Sequence, residues 1–379
     1  MTEFRDSKMF NSVSNPQSQN LLSLKLSIPD LMDSESCTLD QPLEDSLSTA
    51  VVPEDNNSLL AATKLMRQGL ANQQCGKLDA ALELLKAARA ILQIVGDTHK
   101  QAQALSYLAL VAYTQGDYLD AVTYSEDCLC LARRNSDWRL VVQALSHLGN
   151  SHRHLNNYLQ AIESLRECLQ IGKRIQDFRS QVAALNNLGL VYKALGDYQK
   201  AIEYQQQSLV IVKQMQDKWG QEQVLKNLGN SCYALGDFNR AIAYYEQGVN
   251  VALSLNNYRG AIQILKNLGN ACYALGNYEK ALTHYEQRLH FSKQLKDRRS
   301  EEQSLSSLGI TYEALGNYVK AIEYYEQRLA LARELKDPHS EEQVLTYLKL
   351  ACCTLGDYGK AMEYIQQRSR LVNEQYINF

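Results

Sequence analysis

Three histidines close together, nine cysteines and a recurrent set of lysines and asparagines are the side chains of this 379-residue chain with the types to do chemistry. His147 and His154 stand seven apart, with His152 between them, and would share one face of a helix. That spacing suits a pair of metal ligands, but no acidic or cysteine partner stands at a suitable distance along the chain, so a polar lining of a groove is the favoured reading. Cys232, Cys272 and Cys352 are separated by multiples of forty residues, as are Cys128 and Cys168. Equivalent places in stacked helical units lie about 10 Å apart, beyond the ~7 Å reach of a disulfide, so these cysteines read as small buried apolar residues. Cys128-x-Cys130 and the adjacent Cys352 and Cys353 lack the paired spacing of a structural zinc site. The strings GxxxxGK[ST], HExxH and GxSxG do not occur. Neither an enzyme, a metal nor a cofactor is expected.

Whatever these residues do is set by the elements that carry them, and those elements repeat. Leu65, Leu105, Leu145, Leu185, Leu225, Leu265, Leu305 and Leu345 recur every forty residues, and a second leucine follows each from Leu108 to Leu348. Alanine recurs at Ala81, Ala121, Ala161, Ala201, Ala241, Ala281, Ala321 and Ala361. Within each unit the apolar residues fall every three to four positions on either side of a break such as Gly196-Asp197, Gly236-Asp237 or Gly276-Asn277. The pattern predicts two amphipathic helices, A and B, per unit. Glycine would end helix A in the left-handed conformation, and the following Asp or Asn would cap helix B. A second acidic set, Asp97, Asp137, Asp177, Asp217, Asp297 and Asp337, would cap the next helix A. Gly149, Gly189, Gly229, Gly269 and Gly309 are expected where helix B presses on helix A, and the alanines where A presses on B.

Four of the five prolines lie in the first 53 residues, whereas all 19 glycines and all 23 tyrosines come later. Residues 1–57 carry three basic and ten acidic side chains and read as a disordered acidic tail, because they cannot bury enough apolar surface to offset their ordering entropy. The apolar stretch 21–32 inside it is open to two readings, a docking element or a sticky patch. Residues 58–379 have 36 basic and 32 acidic side chains, too weak an excess for a nucleic-acid surface. Nucleic acid is therefore not an expected partner. No apolar run approaches the ~18 residues of a membrane span, and no secretory signal is seen, so neither membrane insertion nor export is expected and a cytoplasmic location is the default.

Strings such as LKNLGNACYALGNYEKALTHYEQRL resemble the tetratricopeptide-repeat (TPR) family over about residues 60–373. The usual unit has 34 residues; this one has forty, which lengthens both helices, and is similar to the repeats of Pins/LGN polarity adaptors and of many cyanobacterial and other bacterial TPR proteins. The resemblance implies an all-α fold, a right-handed α-solenoid of about eight repeats at about 65–104, 105–144, 145–184, 185–224, 225–264, 265–304, 305–344 and 345–379. It also implies a non-catalytic scaffold or adaptor that binds a peptide or partner protein along a groove lined by the A helices. The groove set carried onto this chain is His147, Asn150, Asn186, Asn187, Lys193, Lys226, Asn227, Asn230, Tyr233, Lys266, Asn267, Asn270 and Tyr273. Amides suit a peptide backbone and lysines suit carboxylates. Of the Lys-Asn-Asn-Lys-Arg set with which some TPR domains clamp a C-terminal carboxylate, Lys226, Asn230 and Asn267 match, while the last two places hold Gln303 and Ser307. The alternative is a regulatory switch whose groove senses a peptide or the chain's own acidic tail. Lys349, where earlier units have glycine, suggests weak self-association through the last repeat. Arg288, Arg328 and Arg368 stand where the family has a small residue, and the sequence leaves open whether they are solvated or reach the neighbouring repeat.

Overall fold

A computed structural model describes the chain over residues 54–377, with side chains over 57–372. The described residues form sixteen α-helices and no strand, arranged as tandem antiparallel pairs, an α-solenoid. Two compact units divide the chain, one ending at Leu195 and one starting at Gly196. The first holds α1 (Glu54–Gln74), α2 (Leu78–Val95), α3 (Thr98–Gln115), α4 (Tyr118–Arg134), α5 (Trp138–His154), α6 (Tyr158–Arg174) and α7 (Phe178–Ala194). The second holds α8 (Tyr198–Gln214), α9 (Lys218–Leu235), α10 (Phe238–Ser254), α11 (Tyr258–Ala274), α12 (Tyr278–Gln294), α13 (Arg298–Ala314), α14 (Tyr318–Glu334), α15 (Pro338–Leu355) and α16 (Tyr358–Ile377). Odd-numbered helices are the A helices and even-numbered ones the B helices. Two boundaries differ from the sequence reading. Helix α1 starts at Glu54, inside the segment expected to be tail, and each repeat leucine from Leu105 on falls about two turns inside its A helix, so the hairpins start earlier, at Thr98 and Trp138 for example. The rest of the expected tail, with its apolar stretch 21–32, lies outside the described residues.

The turns show why pairs form at all. At the A-to-B turn after α9, Gly236 takes a φ of 83°, and the Asp237 N–H closes the helix on the Cys232 carbonyl at 2.9 Å. The Asp237 side chain then accepts from Arg240 N–H at 3.1 Å and caps α10. One residue thus satisfies the last turn of one helix and the first turn of the next, which keeps the connection short. All six acidic residues of the second set, from Asp97 to Asp337, cap the following A helix as expected. Lys77, Asp117 and Asn157 are exceptions among the A-to-B turns, since their side chains make no capping bond.

The B-to-A turns use the same ring but, after α4, no glycine. Ser136, Gln176, Gln216, Asn256, Lys296 and Lys336 hold the left-handed position with φ between 53° and 57°. An L side chain there is strained by roughly 1–2 kcal/mol, less for asparagine. Lys296→Gly should therefore raise the melting temperature of the full chain by a few degrees, an effect of about 0.5–1 kcal/mol, whereas the same change at Asn256 should do little. A fall in melting temperature at Lys296 would mean that this turn is not strained.

Between helices, the repeat leucines from Leu105 to Leu348 and the B-helix alanines form the buried core. Leu65, on the terminal helix α1, is only partly buried against it. The small residues admit the partner helix as expected. A Cβ placed on Gly269 would lie 2.7 Å from Cδ1 and 2.8 Å from Cζ of Tyr285, and one on Gly149 would meet Leu165 in the same way. Cys128, Cys168, Cys232, Cys272 and Cys352 are buried free thiols, and burial pushes the Cys128 and Cys168 thiols up to about 12.

Within each unit the A helices crowd together more than the B helices. Successive A helices approach each other, α3 with α5 and α9 with α11, while among the described residues no two successive B helices come as near. The bridging side chains agree. Short asparagines suffice between A helices, Asn267 to Asn230 at 3.0 Å. Long pairs are needed between B helices, Arg89 to Asp127 at 2.9 Å and Arg133 to Glu167 at 2.6 Å. The A helices therefore line the inner side of each unit.

Candidate functional site

On α9 and α11 the local sequence builds one polar arrangement twice. Gly229 and Gly269 admit the rings of Tyr245 and Tyr285 from the B helix, both about 1% exposed. Each hydroxyl reaches past its glycine and donates, at 2.7 Å, to Oδ1 of the next residue, Asn230 or Asn270. Asn230 Oδ1 also accepts from Asn267 Nδ2. These bonds hold the carbonyl side of Asn230 and Asn270 inward, so their amide N–H groups point away from the tyrosines. On α13 the ring contact between Tyr325 and Gly309 persists, but Ile310 replaces the asparagine.

Two lysines flank this amide row. Lys226 is half-buried and donates to Gln223 Oε1 at 2.8 Å; burial lowers its pKa, opposed by the Glu222 carboxylate. Glu222 is itself only 1% exposed, accepts both bonds of Asn257 Nδ2, and has its pKa raised by burial. Lys266 has no hydrogen-bond partner among the described residues, and its pKa is lowered by burial, then by Arg288 and Arg299. The surface is therefore rich in donors. Tyr233 packs edge-on against Phe238, and Tyr273 against Tyr278, so these two rings line the end of the row at the hairpin turn.

The first unit presents a different face. His147 stands at the register place of Asn187, Asn227 and Asn267 but is 3% exposed, with Nε2 unpartnered and its pKa lowered by burial to about 4. The expectation that His147 faces a ligand is corrected here: α3, α5 and α7 approach one another more closely than α9, α11 and α13, which seals this position. Asn150 keeps an unpartnered Oδ1, because Leu165 occupies the place of the bonding tyrosine. His154 does not pair with His147. It stacks on Tyr118 at 4.4 Å and takes Nε2 contacts from Tyr113 Oη at 2.9 Å and Arg153 Nη2 at 2.8 Å. Burial and then Arg153 hold its pKa down to about 4. Among the described residues no group of three or more His, Cys, Asp or Glu side chains is placed to hold a metal ion. Asn186, Asn187 and Lys193 lie partly buried along α7, with the Lys193 pKa lowered by burial.

A sequence model described as tetratricopeptide repeat matches residues 60–134, 140–214, 220–294 and 300–374. The chain belongs to the tetratricopeptide repeat family. Each match covers two hairpins, so the forty-residue unit with helices of 17 or 18 residues is a lengthened form of the TPR hairpin. No curated protein matches the sequence. Among solved structures it is similar to a signal-transduction ATPase with a tetratricopeptide repeat sensor from Pyrococcus horikoshii, at 14% identity and a TM-score of 0.63, covering 84% of this chain and 49% of that one. The TPR chain thus spans about half the length of that protein. Aspartyl phosphate phosphatase F of Bacillus subtilis is 15% identical with a TM-score of 0.52, over 76% of this chain and 73% of that one. The apo form of the quorum sensor NprR of B. thuringiensis has the same identity and TM-score, over 84% and 87%.

Sequence reasoning missed the buried polar groups behind the TPR amide row. Arg288 and Arg328, left open between solvent and neighbour, are buried and reach the neighbouring hairpin, whereas the more exposed Arg368 bonds Glu342 within its own hairpin. The constant separation of 26 residues between Glu302 and Arg328 and between Glu342 and Arg368 was the pattern that could have found those two pairs. None of the described helices is long and apolar enough to cross a membrane.

Proposed function

We propose that this TPR chain is a non-catalytic interaction scaffold that holds an extended segment of a partner protein against the A-helix face of its second unit. The observation that carries this reading is the pair of Tyr245–Asn230 and Tyr285–Asn270 bonds, which fix two amides with their N–H groups turned away from the core. An extended backbone supplies carbonyl acceptors at intervals along such a row, and Lys226 and Lys266 add charge-assisted donors beside it. Both lysines are already partly stripped of water, so an acceptor that reaches them meets donors without a full hydration shell.

The test is selection of unstructured peptides displayed on phage against the full chain, followed by affinity measurements on the winners. The lysines are partly buried, so charge reversal beside Glu222 would disturb folding; Lys226→Gln with Lys266→Gln removes charge and keeps volume. Each charge-assisted contact is worth ~1.5–3 kcal/mol, so the double variant should bind the selected peptides at least tenfold more weakly at unchanged melting temperature. Undiminished affinity there, combined with loss in a Tyr244→Ala variant on α10, would move the binding surface to the B helices and reject the reading.

A further inference from the structure

We propose that the seam between α11 and α13 is a subsite for a carboxylate of the bound peptide, anchored by the guanidinium of Arg288. The inference rests on the peptide-binding reading above and names the chemistry of one place within it.

The repeats supply their own comparison. In each of the four hairpins from α9 to α16 one B-helix position, at 248, 288, 328 or 368, stands opposite an A-helix position 26 residues earlier, at 222, 262, 302 or 342. Where both halves are present they pair. Arg328 donates to Glu302 Oε1 from Nε at 2.9 Å and Nη2 at 2.7 Å, and Arg368 does the same with Glu342 at 3.2 and 2.8 Å. In the hairpin of α9 and α10 the place of the basic half holds Gly248, and the acidic half, Glu222, is satisfied by Asn257 at the start of α11. The remaining hairpin, α11 and α12, is the reverse: Arg288 is present and the place of its acidic half holds Ile262.

Arg288 is 2% exposed and makes one side-chain bond, Nη2 to Gln303 Oε1 at 2.8 Å, while Nε and Nη1 are buried without a partner. A buried cation held by one neutral amide is costly, and a carboxylate is the group that would relieve it. Burial lowers its pKa to about 10. Asp297, the carboxylate whose charge acts on Arg288, is committed to capping α13 through Ser300 N–H at 3.1 Å. Two further cations, half-buried Lys266 and exposed Arg299, stand at the same seam and lead from solvent toward the guanidinium. Gln303 is half-buried on α13, so a ligand needs to displace this one amide to reach Arg288. The size of the missing anion is set by its neighbours, because glutamate carboxylates fill the equivalent place at Glu302 and Glu342.

The test uses the full chain and three labelled peptides: hexaglutamate with an amidated C-terminus, hexaglutamine with a free C-terminus, and hexaglutamine amide. Fluorescence anisotropy should show at least tenfold tighter binding of one or both carboxylate peptides than of hexaglutamine amide, and which of the two gains tells side-chain from C-terminal carboxylates. Ile262→Glu supplies the carboxylate from within, as in the next hairpin, so it should stay folded and abolish that preference. Arg288→Met, which removes a buried charge and keeps the stem, should abolish it too. No carboxylate preference in the wild type, or a preference that survives both variants, overturns the subsite. Weakening of the phage-selected peptides by Lys226→Gln with Lys266→Gln but not by Ile262→Glu would reject the subsite and leave the groove standing. Thermal stabilisation by glutarate that Ile262→Glu removes would support the subsite even where those peptides ignore the lysine changes.

Discussion

Gly269→Leu should unfold much of the second unit while leaving the first intact. The added Cβ alone would sit 2.7 Å from a ring carbon of Tyr285, a side chain about 1% exposed and tied by its hydroxyl to Asn270. Nothing at that depth can yield by a rotamer change, so the ring must leave its place, and losing a buried aromatic costs on the order of 3–5 kcal/mol. Gly276→Ala is the control. It lies at φ +80° with nothing within 4 Å of a Cβ, so only backbone strain of about 1–2 kcal/mol is expected. The places equivalent to Gly269 and Tyr285 hold Ala109 and Ser125 in the second hairpin, so Gly269→Ala combined with Tyr285→Ser should cost less than the sum of the two single changes. Hydrogen exchange read helix by helix should show lost protection from α11 to α14 and native protection from α3 to α6, because stability in stacked repeats is a sum over neighbouring interfaces. Uniform loss along the whole chain would contradict that picture.

Acidification should weaken the first unit between pH 6.5 and about 4, and His147 should carry most of the change. Burial lowers its pKa from 6.5 to about 4, so in that window the unfolded chain binds a proton that the folded chain refuses. Stability is therefore fully present above pH 6.5, falls as the pH drops, and changes no further from this group below about 4. The full shift corresponds to about 3 kcal/mol at one unit per 1.36 kcal/mol. His154, lowered to about 4 by burial and Arg153, adds in the same direction, but it is more open to solvent and contributes less. Urea midpoints at pH 7 and pH 5 give the slope, and His147→Gln should flatten it. Parallel slopes in the variant and the wild type would mean that His147 is open to protons in the folded state.

Much of this architecture was legible residue by residue. Leucine periodicity places the helices because burial of one face at 3.6 residues per turn is a local requirement. Gly236 and Asp237 mark a turn because each solves a bonding problem within four residues of itself. The B-to-A turns at Gln176 and Lys296 were not legible, since a strain of about 1–2 kcal/mol lets ordinary residues hold a left-handed position when the two helices it joins are packed. The polar face was legible in composition only. Asn230 and Asn270 were expected to offer both donors and acceptors, and the tyrosines that take their carbonyls stand fifteen residues away on another helix.

By itself, then, the sequence determined the helices, their pairing into TPR hairpins, and which positions in each repeat are apolar, because these follow from interactions within one repeat. Only the tertiary structure decided which members of an equivalent set are sealed or open, and which charges are matched. His147 and Asn267 share a register place, yet one is buried and the other lies on a face rich in donors, because the spacing between successive A helices differs from unit to unit. Arg328 and Arg288 share another, yet one is paired with a carboxylate and the other is not, because the A-helix place 26 residues earlier holds Glu302 in one hairpin and Ile262 in the preceding one. Charge pairing is settled where the two helices of a hairpin meet and solvation where A helices face one another, and those surfaces exist only once the helices have packed and the hairpins have stacked.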